Sequence, residues 1–133
     1  MTTVHANTIV LYGALAGNLF LALAAGAYAL RWRPLPRWYW GPATVVVALI
    51  AFQVLLGILL LVRGMMPHRS LHLMYGGLAA VTAVIQAGLR PGGFIRRRYA
   101  DDLATSEARI LALVSLTGFA LIARAWMTGM GLR

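Results

Sequence analysis

The chain has no cysteine and no lysine, and only three acidic residues among its 133. Without cysteine there is no disulfide, no thiolate metal site and no cysteine nucleophile. The acids are Asp101, Asp102 and Glu107, and none lies well inside a long apolar run. Proton-coupled pumps and small multidrug exporters need an intramembrane carboxylate, so the sequence argues against that class. Hydrolytic chemistry and an all-protein magnesium or calcium cage lack their ligands for the same reason. Charge of either sign is scarce, at 11% of residues, against about 25% in a soluble domain. The first seven residues, Met1 to Asn7, carry no Lys or Arg, so a cleaved secretory signal is not expected.

What remains is mostly oil. Hydrophobic residues make up 61% of the chain, and the mean hydropathy is +0.78. Such a composition cannot cover a water-facing surface, so lipid serves as solvent for much of it. Four apolar runs reach the ~20 residues that a spanning helix needs, at about 7–30, 42–62, 68–89 and 107–127. Pro34 and Pro36 close the first, Pro42 suits the first turn of the second, and Pro67 opens the third. Arg90-Pro91-Gly92-Gly93 closes the third. Asp101, Asp102, Thr105 and Ser106 offer caps and favourable charge to the fourth. The expected fold is all-α: one transmembrane domain over 1–133, a four-helix bundle of up-down topology.

The basic residues give that bundle a direction. Arg31, Arg33 and Arg37 occupy the first connection, and Arg90, Arg96, Arg97 and Arg98 the third, with Arg109 just inside the fourth helix. Positive connections stay in the cytoplasm, which places both termini and the short Arg63–Pro67 turn on the outer side. Trp32, Trp38, Tyr39 and Trp40 then form an inner aromatic belt, and Trp126 lies near the outer one. The net charge of +9 is set between apolar runs, which suits anionic headgroups and topology control rather than nucleic acid. Arginine without lysine points to a GC-rich bacterial genome, hence a multi-pass protein of the bacterial inner membrane.

Polar residues inside the runs are the candidates for function. His68, His72 and Tyr75 share one face of the third helix, above the small residues Gly76, Ala80, Ala83 and Ala87. An imidazole above a small-residue strip could ligate a haem and leave room for its macrocycle; ordinary helix packing explains the same strip. A histidine pair at i, i+4 could hold zinc or copper, a weaker expectation. Arg124 falls in the same outer layer as His72 and has no acid on that side of the chain. It either snorkels to headgroups or meets a haem propionate, a lipid phosphate or a partner's carboxylate. Asn18, Gln53, Gln86, Ser115 and Thr117 are read as interhelical hydrogen-bond formers. Gln53 or Tyr75 could also hold a quinone carbonyl. Gly13 and Gly17 make a GxxxG that lets the first helix approach a neighbour closely.

Two resemblances rest on particular stretches. Gln53-Val54-Leu55-Leu56-Gly57, followed after a short turn by Leu71-His72-Leu73-Met74-Tyr75-Gly76, resembles one half of the haem A synthase family. That resemblance covers about a third of the chain and implies His72 as a haem ligand on the outer side. A second axial ligand would come from His5, a symmetry mate's His72 or a partner subunit. Leu71-His72-Leu73-Met74-Tyr75-Gly76 together with Arg124-Ala125-Trp126-Met127-Thr128-Gly129 is also similar to small four-helix bacterial membrane proteins. That group brings no function with it, but implies that His72, Tyr75 and Arg124 act together.

The leading expectation is a non-catalytic accessory or structural subunit of a larger membrane complex, respiratory or photosynthetic, surrounded by lipid and other subunits. The alternatives are a b-type haem protein using His72, Tyr75, Gly76 and Arg124, with His68 and Gln53 in supporting places, and a small homodimeric transporter. With no catalytic constellation present, an enzyme is the weaker expectation.

Overall fold

The computed structural model describes residues 8–67, 70–103 and 106–130. His5, His68 and Thr105 lie outside the described residues. Those described form α1 (Thr8–Leu30), a 3-10 turn (Arg37–Tyr39), α2 (Trp40–Val62), α3 (Ser70–Leu89), the short α4 (Phe94–Arg98) and α5 (Ala100–Leu103), and α6 (Glu107–Gly129). There is no strand among them. Four of the helices, α1, α2, α3 and α6, are long and apolar enough to cross a bilayer. At ~1.5 Å per residue, helices of 20 and 23 residues reach about 30–34 Å, enough to cross a hydrocarbon core of about 30 Å.

The four long helices form a ring in which α1 touches α2, α2 touches α3, α3 touches α6 and α6 returns to α1. The α1–α6 and α3–α6 seams are the most extensive. Neighbours run antiparallel: Gly13 meets Leu49 where Gly17 meets Val46, and His72 meets Ala125 where Gln86 meets Ser115. The core is built from small and aliphatic side chains, with Ala14, Leu21, Ala25, Val46, Ile50, Ala83 and Leu111 buried. Large apolar side chains such as Leu23, Val45, Leu55, Val84 and Leu113 face outward. A water-soluble bundle would invert that arrangement. The α2 helix is the most outward-facing, with 11% of its most apolar window buried against 22–28% in the other three.

Gly17 shows why the GxxxG is there. A Cβ added at Gly17 would run into Cγ2 of Val46, which is 3% exposed. Valine is stiff at χ1 in a helix and cannot swing aside. Gly17→Ala should therefore open the α1–α2 seam and cost about 1–2 kcal/mol, measured by SDS titration of the helical signal in detergent.

Both helix ends nearest the first two connections close with the same hydrogen-bond pattern. After α2, the Met65 N–H donates to Leu60 O and the Gly64 N–H to Leu61 O, with Gly64 at φ 78°. After α1, the Arg33 N–H donates to Tyr28 O and the Trp32 N–H to Ala29 O. The left-handed position is glycine's by preference, yet at the end of α1 it is filled by Trp32, at φ 54°. A bulky residue there carries about 1 kcal/mol of strain or more.

Four features differ from the sequence reading. The second helix begins at Trp40 because the 3-10 turn leads straight into it. The third connection folds into α4 and α5 instead of an open loop. In the aromatic belt Trp32 is 77% exposed, whereas Tyr39 is fully buried. Its hydroxyl faces Ser115 outside hydrogen-bond geometry. Ser106, at the start of α6, makes no side-chain cap; its hydroxyl donates to Asp102 O instead.

Candidate functional site

Polar groups in hydrocarbon call for partners inside the protein, and they gather here in three places, with Gln86 Oε1 and the Tyr39 hydroxyl left without a hydrogen bond among the described residues. The middle of the bundle holds a sealed polar layer. Gln86 Nε2 donates to Asn18 Oδ1 at 3.0 Å and to Ser115 Oγ at 3.1 Å, tying α3 to α1 and α6. Asn18 Nδ2 donates back to Ala14 O. Gly118 leaves the space for it: a Cβ there would stand 3.0 Å from Asn18 Oδ1 and 3.1 Å from Thr82 Oγ1. Asn18, Gln86 and Ser115 thus behave as interhelical hydrogen-bond formers. Thr117 is exposed and takes no part, and Gln53 is half-buried with no hydrogen bond among the described residues.

At the end of the bundle that carries the Arg63–Pro67 turn, His72, Tyr75 and Arg124 come together between α3 and α6. The His72 Nδ1–H donates to Ala125 O at 2.8 Å, since a carbonyl can only accept. That contact orients the ring. His72 has further contacts besides this one. Gly129 lies under the imidazole, where a Cβ would stand 2.9 Å from Nδ1. The Arg124 guanidinium lies over the Tyr75 ring, 5.7 Å from its centroid. Thr128, next in this layer, returns its hydroxyl to Arg124 O and Ala125 O within its own helix. Trp126 packs edge-on against Tyr12 of α1, with ring centroids 6.0 Å apart. Beside the trio, a Cβ at Gly76 or Gly77 would meet nothing within 4 Å. The strip formed by Ala80, Ala83 and Ala87 opens instead into an apolar groove of about 300 Å³ shared with Val47, Ile50, Ala51, Val54 and Leu55 of α2.

The opposite end is fastened by arginines. Arg96 of α4 forms an ion pair with Glu107, the first residue of α6. Its Nε–H donates to Leu89 O, the last carbonyl of α3, at 2.8 Å. Its guanidinium also lies 5.1 Å from the centroid of Trp40, the first residue of α2. One side chain thereby ties the ends of three of the four long helices, complementing a helix C-terminus directly and a helix N-terminus through Glu107. Burial pulls the Arg96 guanidinium below its ordinary value, though an arginine stays protonated in a protein. Arg109 stacks on Trp32, 3.8 Å from its centroid, and so joins the end of α1 to the start of α6.

The chain matches no protein-family model, no curated protein and no solved structure. Its site is therefore read from its own residues. The sequence puts His72, Tyr75 and Arg124 in one layer by helix arithmetic; the structure sets Arg124 over Tyr75 and His72 on the carbonyl of Ala125, the residue after Arg124. Ala125, Gly129 and the buried Tyr39 were missed. The only signals for them were a glycine late in the fourth run and a tyrosine beside a proline-rich connection.

Proposed function

We propose that this chain is a non-catalytic accessory subunit of a larger membrane complex, of the respiratory or photosynthetic kind, in a bacterial inner membrane. Its Arg-rich first and third connections face the cytoplasm and its termini face outward. Arg124 carries the proposal. It sits on a spanning helix five residues before Gly129, about 8 Å from the helix end, and is exposed on the bundle surface. Among the described residues it has the face of Tyr75 but no carboxylate, and all three acids of the chain lie near the opposite end. A guanidinium held in lipid recruits an anionic partner from another molecule, where bidentate geometry gives specificity.

Extraction in mild detergent followed by native electrophoresis tests this. The chain should migrate in a species much larger than itself. Arg124→Gln should cut that fraction about tenfold or more, the effect of removing one member of a desolvated charge pair. Migration of the wild-type chain only as a small free species overturns the proposal.

One observation favours a second reading, a b-type haem held by His72. A histidine whose Nδ1–H donates to a backbone carbonyl is oriented in the way that haem and metal ligands usually are. Purified protein from haem-replete cells would then show a Soret band that His72→Ala abolishes; a colourless preparation rejects it.

A further inference from the structure

At the arginine-rich end, α1 and α6 leave a groove of about 130 Å³ between them. Part of its lining is apolar and small: Ala29, Pro34 and Ala108. Its rim carries Trp32, Arg33 and Arg109, with Glu107 at one side. Glu107 is already neutralised by Arg96, so the rim presents two cations to whatever enters. Arg33 has no ion-pair partner among the described residues. Arg109 lies with its flat face on Trp32. Stacking occupies the face of a guanidinium and leaves the N–H donors along its edge for an oxyanion.

Trp32 itself calls for an explanation. It holds a left-handed position that the equivalent turn after α2 gives to Gly64. A strained residue points to a role that the strain serves. The role visible here is the ring: 77% exposed, stacked under Arg109, and standing at the level where a spanning helix ends and headgroups begin. Tryptophan prefers that level, with its indole among the headgroups and glycerol backbones.

We propose that this groove is a binding site for an anionic phospholipid of the leaflet on that side. The phosphodiester sits between Arg33 and the edge of Arg109, Trp32 packs on the glycerol region, and the acyl chains run down the outer face of the α1–α6 seam. Basic pockets between spanning helices commonly take such headgroups. The site is independent of the subunit reading, because it uses neither Arg124 nor the α3–α6 end.

The test uses the full chain purified in mild detergent and titrated with phosphatidylglycerol or phosphatidylcholine, with bound lipid counted by native mass spectrometry. Phosphatidylglycerol should be retained preferentially. Arg33→Gln with Arg109→Gln should reduce that preference about thirtyfold. Arg97→Gln with Arg98→Gln removes the same charge from exposed residues at the same end and should leave most of it. Trp32→Gly relieves the left-handed position but removes the ring on which Arg109 stacks, so it should lower lipid retention. Arg33→Gln alone serves if the Arg109 variant misfolds, since the Arg33 side chain has no hydrogen bond or ion pair among the described residues. Equal losses in the two double variants would mean a diffuse charge effect and overturn the site. Displacement of the lipid by millimolar inorganic phosphate would reassign the groove to a free anion and overturn the lipid.

Discussion

Gly93→Ala should lower the stability of the folded bundle by about 3 kcal/mol, at the upper end of overpacking effects. The turn Arg90-Pro91-Gly92-Gly93 has proline second and a left-handed glycine third, with φ 78° at Gly92, and its Gly93 N–H donates to Arg90 O at 2.8 Å. This is the pattern of a type II turn. The turn folds α4 back onto the last turn of α3, so that Gly93 presses directly on the α3 backbone. A Cβ at Gly93 would collide with Gly88 O, and would stand 2.7 Å from Gly88 C and 2.8 Å from Ala87 O. Side chains can rotate away from an added methyl group, but the backbone of a helix end cannot. The same displacement would carry Arg96 away from Leu89 O and Glu107. Reversible unfolding in mixed micelles, followed by helical circular dichroism, measures the loss. A change below 0.5 kcal/mol, the ordinary range for surface substitutions, would show that the connection yields easily.

A second large effect is expected at Glu107. Removing its carboxylate leaves the Arg96 guanidinium, 28% exposed, without its counter-ion beside an apolar helix end. Breaking a buried pair by deleting one partner costs about 3–5 kcal/mol, and partial exposure puts Glu107→Ala near the lower figure. Replacing both partners with apolar residues of similar volume, Arg96→Met with Glu107→Leu, should recover most of that loss. The contrast between single and double variants, measured in the same unfolding assay, separates the pair from the charge. If the double variant is as unstable as the single one, Arg96 acts through Leu89 O and Trp40 rather than through Glu107.

The residue sequence alone determined the four helices long and apolar enough to span a bilayer, and their rough limits. Backbone groups in hydrocarbon must pair within their own helix, so long apolar runs bounded by proline and arginine have one outcome. Helical periodicity also put His72, Tyr75 and Arg124 at one depth, and marked Asn18, Gln86 and Ser115 as interior hydrogen-bond formers. Depth along a helix is arithmetic, whereas the identity of a neighbour is not. Arg96 reads from the sequence as one of several topology charges in a connection. Only the fold of α4 over the end of α3 makes it a clamp on three helices. Tyr39 reads as one more belt aromatic, and only the 3-10 turn rotates it into the core beside Ser115. The partner of His72 is a main-chain carbonyl, a group every residue carries, so composition cannot select Ala125 from its neighbours. The α1–α6 groove, with Trp32 strained at a glycine position beneath Arg109, joins residues 77 positions apart and exists only once the first and last helices are packed together. Sequence patterns record each helix's relation to lipid; the faces that helices turn to one another depend on close packing, which is decided by the whole set of side chains at once.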